Sequence, residues 1–123
     1  MITLFDLSGK NDLRFSPYCW RVKYLLNYKK IDYETIPICF TERLADRFFV
    51  NAKLPTIMDN EVKISDSFNI AKYIEDKYAD KNDKLINIPN EPALLFINQW
   101  SDQFLNTSIL ERVAHDIISA LDD

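Results

Sequence analysis

The sequence predicts an α/β fold that gives way, beyond residue 91, to helix alone. Three observations predict it. An apolar run, Ile2-Thr3-Leu4-Phe5-Asp6-Leu7, precedes a helix-spaced stretch from Pro17, and the alternating segment Asp32 to Ile38 follows: strand, helix, strand. Such a unit makes its strands parallel neighbours with a right-handed crossover. Next, Pro55 to Asp59 and Val62 to Ser65 are short strand-like runs joined by Asn60-Glu61, a hairpin pattern. Last, Ala93, Ile97, Trp100 and Phe104, then Val113/Ala114, Ile117/Ile118 and Leu121, repeat at helical spacing with a wide apolar face.

Each element has a local reason. The first strand, about 2–7, leads through the polar loop Ser8 to Leu13 into a helix over about 17–29. Ser16 stands at its N-cap, and Pro17 at the first helical position, where a missing N–H costs nothing. Lys29-Lys30 put positive charge at the C-terminal end, as the helix dipole prefers. Thr41 to Val50 reads as a less regular helix with Leu44, Phe48 and Phe49 inward. In the hairpin, Asn60 is the residue suited to a left-handed turn. A further helix starts at Ser65-Asp66-Ser67 and runs to about Tyr78, with Ile70, Ala71 and Ile74 facing the core. The charged, proline-containing, aperiodic stretch from Ala79 to Glu91 is a linker. The terminal pattern is one long helix, continuous or broken near Asn106-Thr107-Ser108, or two shorter ones. The expected organisation is thus a domain over 1–80, a linker over 81–91, and the start of a truncated all-helical domain over 92–123.

Composition narrows the function. At 123 residues, 47% of them hydrophobic, the chain can fill a core. A net charge of −4 with no basic stripe gives no reason to expect nucleic acid. No apolar run approaches membrane-spanning length, and Asp6 and Lys10 are foreign to a signal peptide. His115 is the only histidine, which excludes a histidine-rich metal site, so no metal is expected. Gly9 is the only glycine, which excludes a glycine-rich phosphate cradle. Cys19 and Cys39 form neither a CxxC pair nor a disulfide framework, which points to a reducing cytosol.

The chemistry gathers at Arg14-Phe15-Ser16-Pro17-Tyr18-Cys19-Trp20-Arg21. A hydroxyl and, three residues on, a thiol stand at the positive end of a helix dipole, which stabilises anions, thiolates included. A plain helix cap explains Ser16-Pro17 equally well. Arg14 and Arg21 add positive potential, although Arg21 reads more simply as a partner in ion pairs on its own helix. Trp20, Tyr24 and Tyr28 read as packing, Cys39 as a small core residue, and His115 as a surface or interface histidine.

The run Phe15 to Arg21 resembles the catalytic loop of bacterial β-etherase-like glutathione transferases and, more distantly, the zeta and omega classes. Lys53-Leu54-Pro55-Thr56 resembles the cis-proline loop of that superfamily. Asp66-Ser67, followed by Ile70 and Tyr73-Ile74, resembles the start of its glutathione-binding helix. The resemblance implies a thioredoxin-like domain with a mixed four-stranded sheet, ordered βαβ then αββα. It also implies glutathione as co-substrate, a cis Pro55, and a Leu54 backbone paired with the cysteinyl part of glutathione like an added strand. Ser67 would take the γ-glutamyl carboxylate at a helix N-terminus, and Asp66 the γ-glutamyl amine. An N-cap role for both uses the same geometry. Lys53 would meet the glycine carboxylate or stand as a solvated surface lysine. Ser16 falls at the position that faces the glutathione sulfur.

The reaction implied is attack of glutathione thiolate on an electrophilic carbon of a hydrophobic partner, with aryl-ether cleavage in the etherase subgroup. A cytoplasmic homodimer is the expected full-length form. Two alternatives stand beside it. Ser16-Pro17-Tyr18-Cys19 resembles a glutaredoxin motif whose first cysteine is serine, so Cys19 is the candidate redox group of a thiol reductase. The chain would otherwise be a non-catalytic glutathione-transferase-like binding module.

Overall fold

The computed structural model describes residues 1–41, 53–80, 84–87 and 89–121. Strand β1 spans Ile2–Ser8, helix α1 Pro17–Tyr28, strand β2 Tyr33–Cys39, strands β3 and β4 Thr56–Asp59 and Val62–Ser65, and helix α2 Ser67–Lys77. Helix α3, Glu91–Trp100, continues through a π-helical turn, Ser101–Leu105, into α4, Asn106–Ala120. The sheet order is β2-β1-β3-β4. β1 runs parallel to β2, with Ile2 opposite Tyr33 and Ser8 opposite Cys39, and antiparallel to β3, with Ile2 opposite Asp59. The fold is therefore the mixed four-stranded, thioredoxin-like arrangement followed by helix. Of the helix expected from Thr41 to Val50, everything beyond Thr41, with Leu44, Phe48 and Phe49, lies outside the described residues.

Alternation along β1 buries Ile2, Leu4, Asp6 and Ser8 on one face. Ile2 and Leu4 meet Val22, Leu25 and Leu26 of α1, Ile57 of β3, and Ile70 and Ile74 of α2 in one core. Pro37 is tolerated in β2 because that strand lies at the sheet edge. Asn60 turns the hairpin at φ 56°, as a left-handed position between two antiparallel strands requires.

Two charged clusters fasten the helices to this core. Lys29 and Glu75, both buried, pair at 3.1 Å between the end of α1 and α2. Lys29 thus sits inside the fold, where its charge meets a carboxylate as well as the helix end. Asp59, buried at the end of β3, accepts from the hydroxyls of Tyr73 and Tyr78 at 3.0 and 2.8 Å and pairs with Lys77 at 2.8 Å.

Trp20, Tyr24 and Tyr28 correct the expectation of packing, for they are 41%, 69% and 40% exposed. The inward stripe of α1 is Cys19, Val22, Leu25 and Leu26. The i, i+4 aromatic series therefore falls outside that stripe, and Lys23, itself buried, lies over the Trp20 ring. Of the alternatives for the terminal stretch, the structure takes the single long helix. No break occurs at Asn106-Thr107-Ser108; the π turn ends just before it, and the rod continues. None of the described residues of α3, the turn or α4 is buried.

Candidate functional site

Ser16 caps α1: its Oγ accepts the Cys19 N–H at 3.3 Å, and Pro17 opens the helix. That bond occupies a lone pair of the hydroxyl and leaves its proton to donate elsewhere. Cys19, one turn in, is fully buried. Burial pushes its thiol up to about 11, against the hydrogen bonds of Ser16 and of the Leu7 backbone, and the Asp6 carboxylate adds to the rise. A thiol titrating there is about one part in 10⁴ thiolate at neutral pH. Beneath it, buried Asp6 pairs with Arg14 at 2.8 Å and with Lys23. Arg14 also binds Asp12 at 2.6 Å, so its charge is spent within this cluster.

The Leu54–Pro55 peptide is cis. One bond closes this loop on itself and two tie it to the approach to α2. Thr56 Oγ1 donates to the Lys53 carbonyl at 2.9 Å, which leaves Ser65 Oγ to donate to Thr56 at 2.7 Å. The Asp66 N–H donates to the Pro55 carbonyl at 3.2 Å. Asp66 holds φ at 78°, a conformation that costs a non-glycine residue about 1–3 kcal/mol and persists only where surroundings enforce it. Here its N–H is held by Pro55, while its carboxylate accepts from the N–H groups of Phe68 and Asn69. Ser67, the first residue of α2, is nearly buried.

Ser16, Lys53, Leu54, Pro55, Asp66 and Ser67 line one cavity of about 420 Å³, together with Leu7, Tyr18 and Asp102. A second cavity of about 480 Å³ adjoins it, sharing Leu7, Ser16, Tyr18 and Asp102. Phe15, Pro17, Ile109, Leu110, Val113 and Ile117 make its walls apolar. Cys39 is half-buried in β2, outside both cavities, and His115 is an exposed residue of α4.

Asp102 escaped the sequence reading. It belongs to the π turn, and Arg21 holds it at 2.7 Å while also donating to Asn98 at 3.1 Å and Ser101 at 2.9 Å. Arg21 therefore pairs across to the C-terminal rod, which corrects the expectation of partners on its own helix. The signal available was the polar pair Asn98 and Asp102, four residues apart and so on one face of a helix. Their mutual bond, Asn98 Nδ2 to Asp102 Oδ2, is 3.2 Å.

Known proteins resemble this chain in sequence and in fold. A zeta-class glutathione S-transferase of Euphorbia esula is 38% identical over 55% of this chain and 36% of its own length. A glutathione S-transferase of Ceriporiopsis subvermispora, solved in complex with glutathione, is 26% identical with a TM-score of 0.72, over 85% of this chain and 48% of that one. Glutathione transferase GSTFuA3 of Phanerochaete chrysosporium superposes at a TM-score of 0.87 over 98% of this chain and 55% of that one; at 22% identity this speaks to fold. The chain spans about a third to a half of the length of these relatives. Residues 12–82 match the family described as the N-terminal domain of glutathione S-transferase, and the chain belongs to that family.

Proposed function

We propose that this chain binds glutathione between the cis-proline loop and the starts of α1 and α2, and that Ser16 activates its thiol for conjugation. The observation that carries the reading is the convergence of Ser16, Lys53, Leu54, Pro55, Asp66 and Ser67 on one cavity. Ser67, through its hydroxyl and its own N–H, takes the γ-glutamyl carboxylate, and Asp66 the γ-glutamyl amine. The Leu54 backbone pairs with the cysteinyl amide, and Lys53 meets the glycine carboxylate.

In this mechanism the bound thiol loses its proton to solvent. The Ser16 hydroxyl, fixed by the Cys19 N–H, donates to the resulting thiolate, and the positive end of α1 adds to its stability. Sulfur then forms a bond to an electrophilic carbon held in the adjoining apolar cavity, and the leaving group departs with its electron pair. The resemblance of Phe15 to Arg21 to the β-etherase-like loop supports an aryl-ether oxygen as that leaving group. Residues 1–80 make the glutathione-binding unit, and 92–123 contribute the wall of the electrophile cavity. A cytoplasmic dimer is part of the same reading.

Burial of Cys19 weighs against the reductase alternative, since the thiolate is the attacking form. Conjugation rates and the thiolate titration of bound glutathione in Ser16→Ala and Cys19→Ser test the proposal. Ser16→Ala should raise the bound thiol toward its free value of about 8.5 and slow conjugation about 10²-fold. Cys19→Ser should change little. A Ser16→Ala protein as fast as the parent removes the mechanism, and loss of thiol reduction in Cys19→Ser alone replaces it with the reductase.

A further inference from the structure

We propose that Asp102 and Asn106 select the second substrate, admitting electrophiles that carry a hydroxyl beside the carbon that takes the sulfur. The inference rests on the glutathione reading above. Asp102 is one of four residues common to both cavities, with Leu7, Ser16 and Tyr18. A thioether forming beside Ser16 and reaching into the apolar cavity therefore passes Asp102.

The carboxylate is held rather than free to turn. Oδ1 accepts from Arg21 at 2.7 Å and Oδ2 from Asn98 Nδ2 at 3.2 Å. A carboxylate has about four acceptor sites, so about two remain, and the side chain is 32% exposed. Asn106, one turn further on, lines the apolar cavity, and its Nδ2 is buried without a hydrogen-bond partner among the described residues. One wall thus offers an acceptor and an unused donor within a turn of each other, against a surround of Phe15, Pro17, Ile109 and Leu110.

The chemistry of the pair restricts what completes it. A hydroxyl donates its proton to Asp102 and accepts from Asn106. A carbonyl answers only Asn106, an amine only Asp102, and an anion is repelled by the carboxylate. An apolar group leaves the Asn106 donor and the remaining acceptor sites of Asp102 unmet once water is displaced, and an unmade bond costs more than a made one returns.

Three stable S-substituted glutathiones test this by calorimetry without need of turnover: S-(2-hydroxy-2-phenylethyl)glutathione, its methyl ether, and S-(2-phenylethyl)glutathione. The parent protein should bind the hydroxyl conjugate about tenfold more tightly than either other. The ratio should fall to about one in Asp102→Leu and in Asn106→Leu, and should fall in Asp102→Asn, which keeps the shape should the leucine variant fail to fold. Taking ratios within each protein cancels any change in affinity for the glutathione part. Equal binding of the three conjugates by the parent overturns the proposal, as does an undiminished ratio in the variants. If glutathione itself does not bind, the glutathione reading fails and this one with it; if glutathione binds and the ratio is one, only this proposal fails.

Discussion

Ser67 and Asp66 divide two tasks at one turn of chain. Asp66 supplies the cap, its carboxylate accepting the N–H groups of Phe68 and Asn69. Ser67 stands one position inside, and among the described residues its hydroxyl makes no hydrogen bond. A hydroxyl left over at a helix start, lining a cavity, is placed to meet an anion. Ser67→Ala should therefore weaken glutathione binding by about 1–3 kcal/mol, the scale for a bond to a charged group, as read by calorimetry. An unchanged affinity would reduce Ser67 to a part of the helix start. The same economy holds at Ser16, whose oxygen caps α1 while its proton stays available. Asp6 shows why a buried acid survives beneath it: Arg14 and Lys23 both meet its carboxylate, so the charge is paired where water cannot reach.

Between elements, the junction of β3 with α2 carries the pH dependence. Burial alone would raise the Asp59 carboxyl, but the hydrogen bonds of Lys77, Tyr78 and Tyr73 outweigh it and hold the group below the usual carboxylate range. The same contact with Asp59, then Tyr73, holds the Lys77 ammonium above its ordinary range. A carboxyl whose folded value is depressed stabilises the fold at any pH above its unfolded value, about 3.9, and ceases to as pH falls through the folded value. Denaturant melts from pH 7 downward should therefore show stability declining below about pH 4. Asp59→Asn should be less stable at neutral pH and should show a shallower decline. Parallel pH profiles for the two proteins would assign the acid sensitivity elsewhere.

Across the whole molecule, the α/β layer and the helical rod touch at a few defined points. Arg21 grips the π turn, Lys72 pairs with Glu91 at 2.7 Å, and Gly9 lies against the end of α4. A Cβ on Gly9 would stand 2.2 Å from the Ala120 carbonyl oxygen, which explains why the chain's one glycine is here. The rod itself leaves Phe96, Phe104 and Ile118 exposed by 70%, 61% and 69%. Contiguous apolar patches beyond a few hundred Å² are uncommon on monomers. The 123-residue chain by itself should accordingly self-associate, with sedimentation giving a mass above that of one chain and Phe96→Asp or Phe104→Asp lowering it. A cooperatively melting monomer would contradict this.

What the sequence by itself determined was local. Apolar period, the Ser16-Pro17 start and the Asn60 turn act through neighbouring residues, so the order of strands and helices was legible almost to the residue. The motif resemblance also named Ser16, Lys53, Leu54, Pro55, Asp66 and Ser67, and all six line one cavity. The β1–β2 and β3–β4 pairs were legible too; tertiary structure alone decided that β1 joins the hairpin through β3, and which face of α1 is buried, sealing Cys19 and exposing Tyr24. It alone brought Asp102 beside Ser16. Helical period places Asp102 on a rod; only the packing of that rod on α1, held by the Arg21 guanidinium, says what the carboxylate faces.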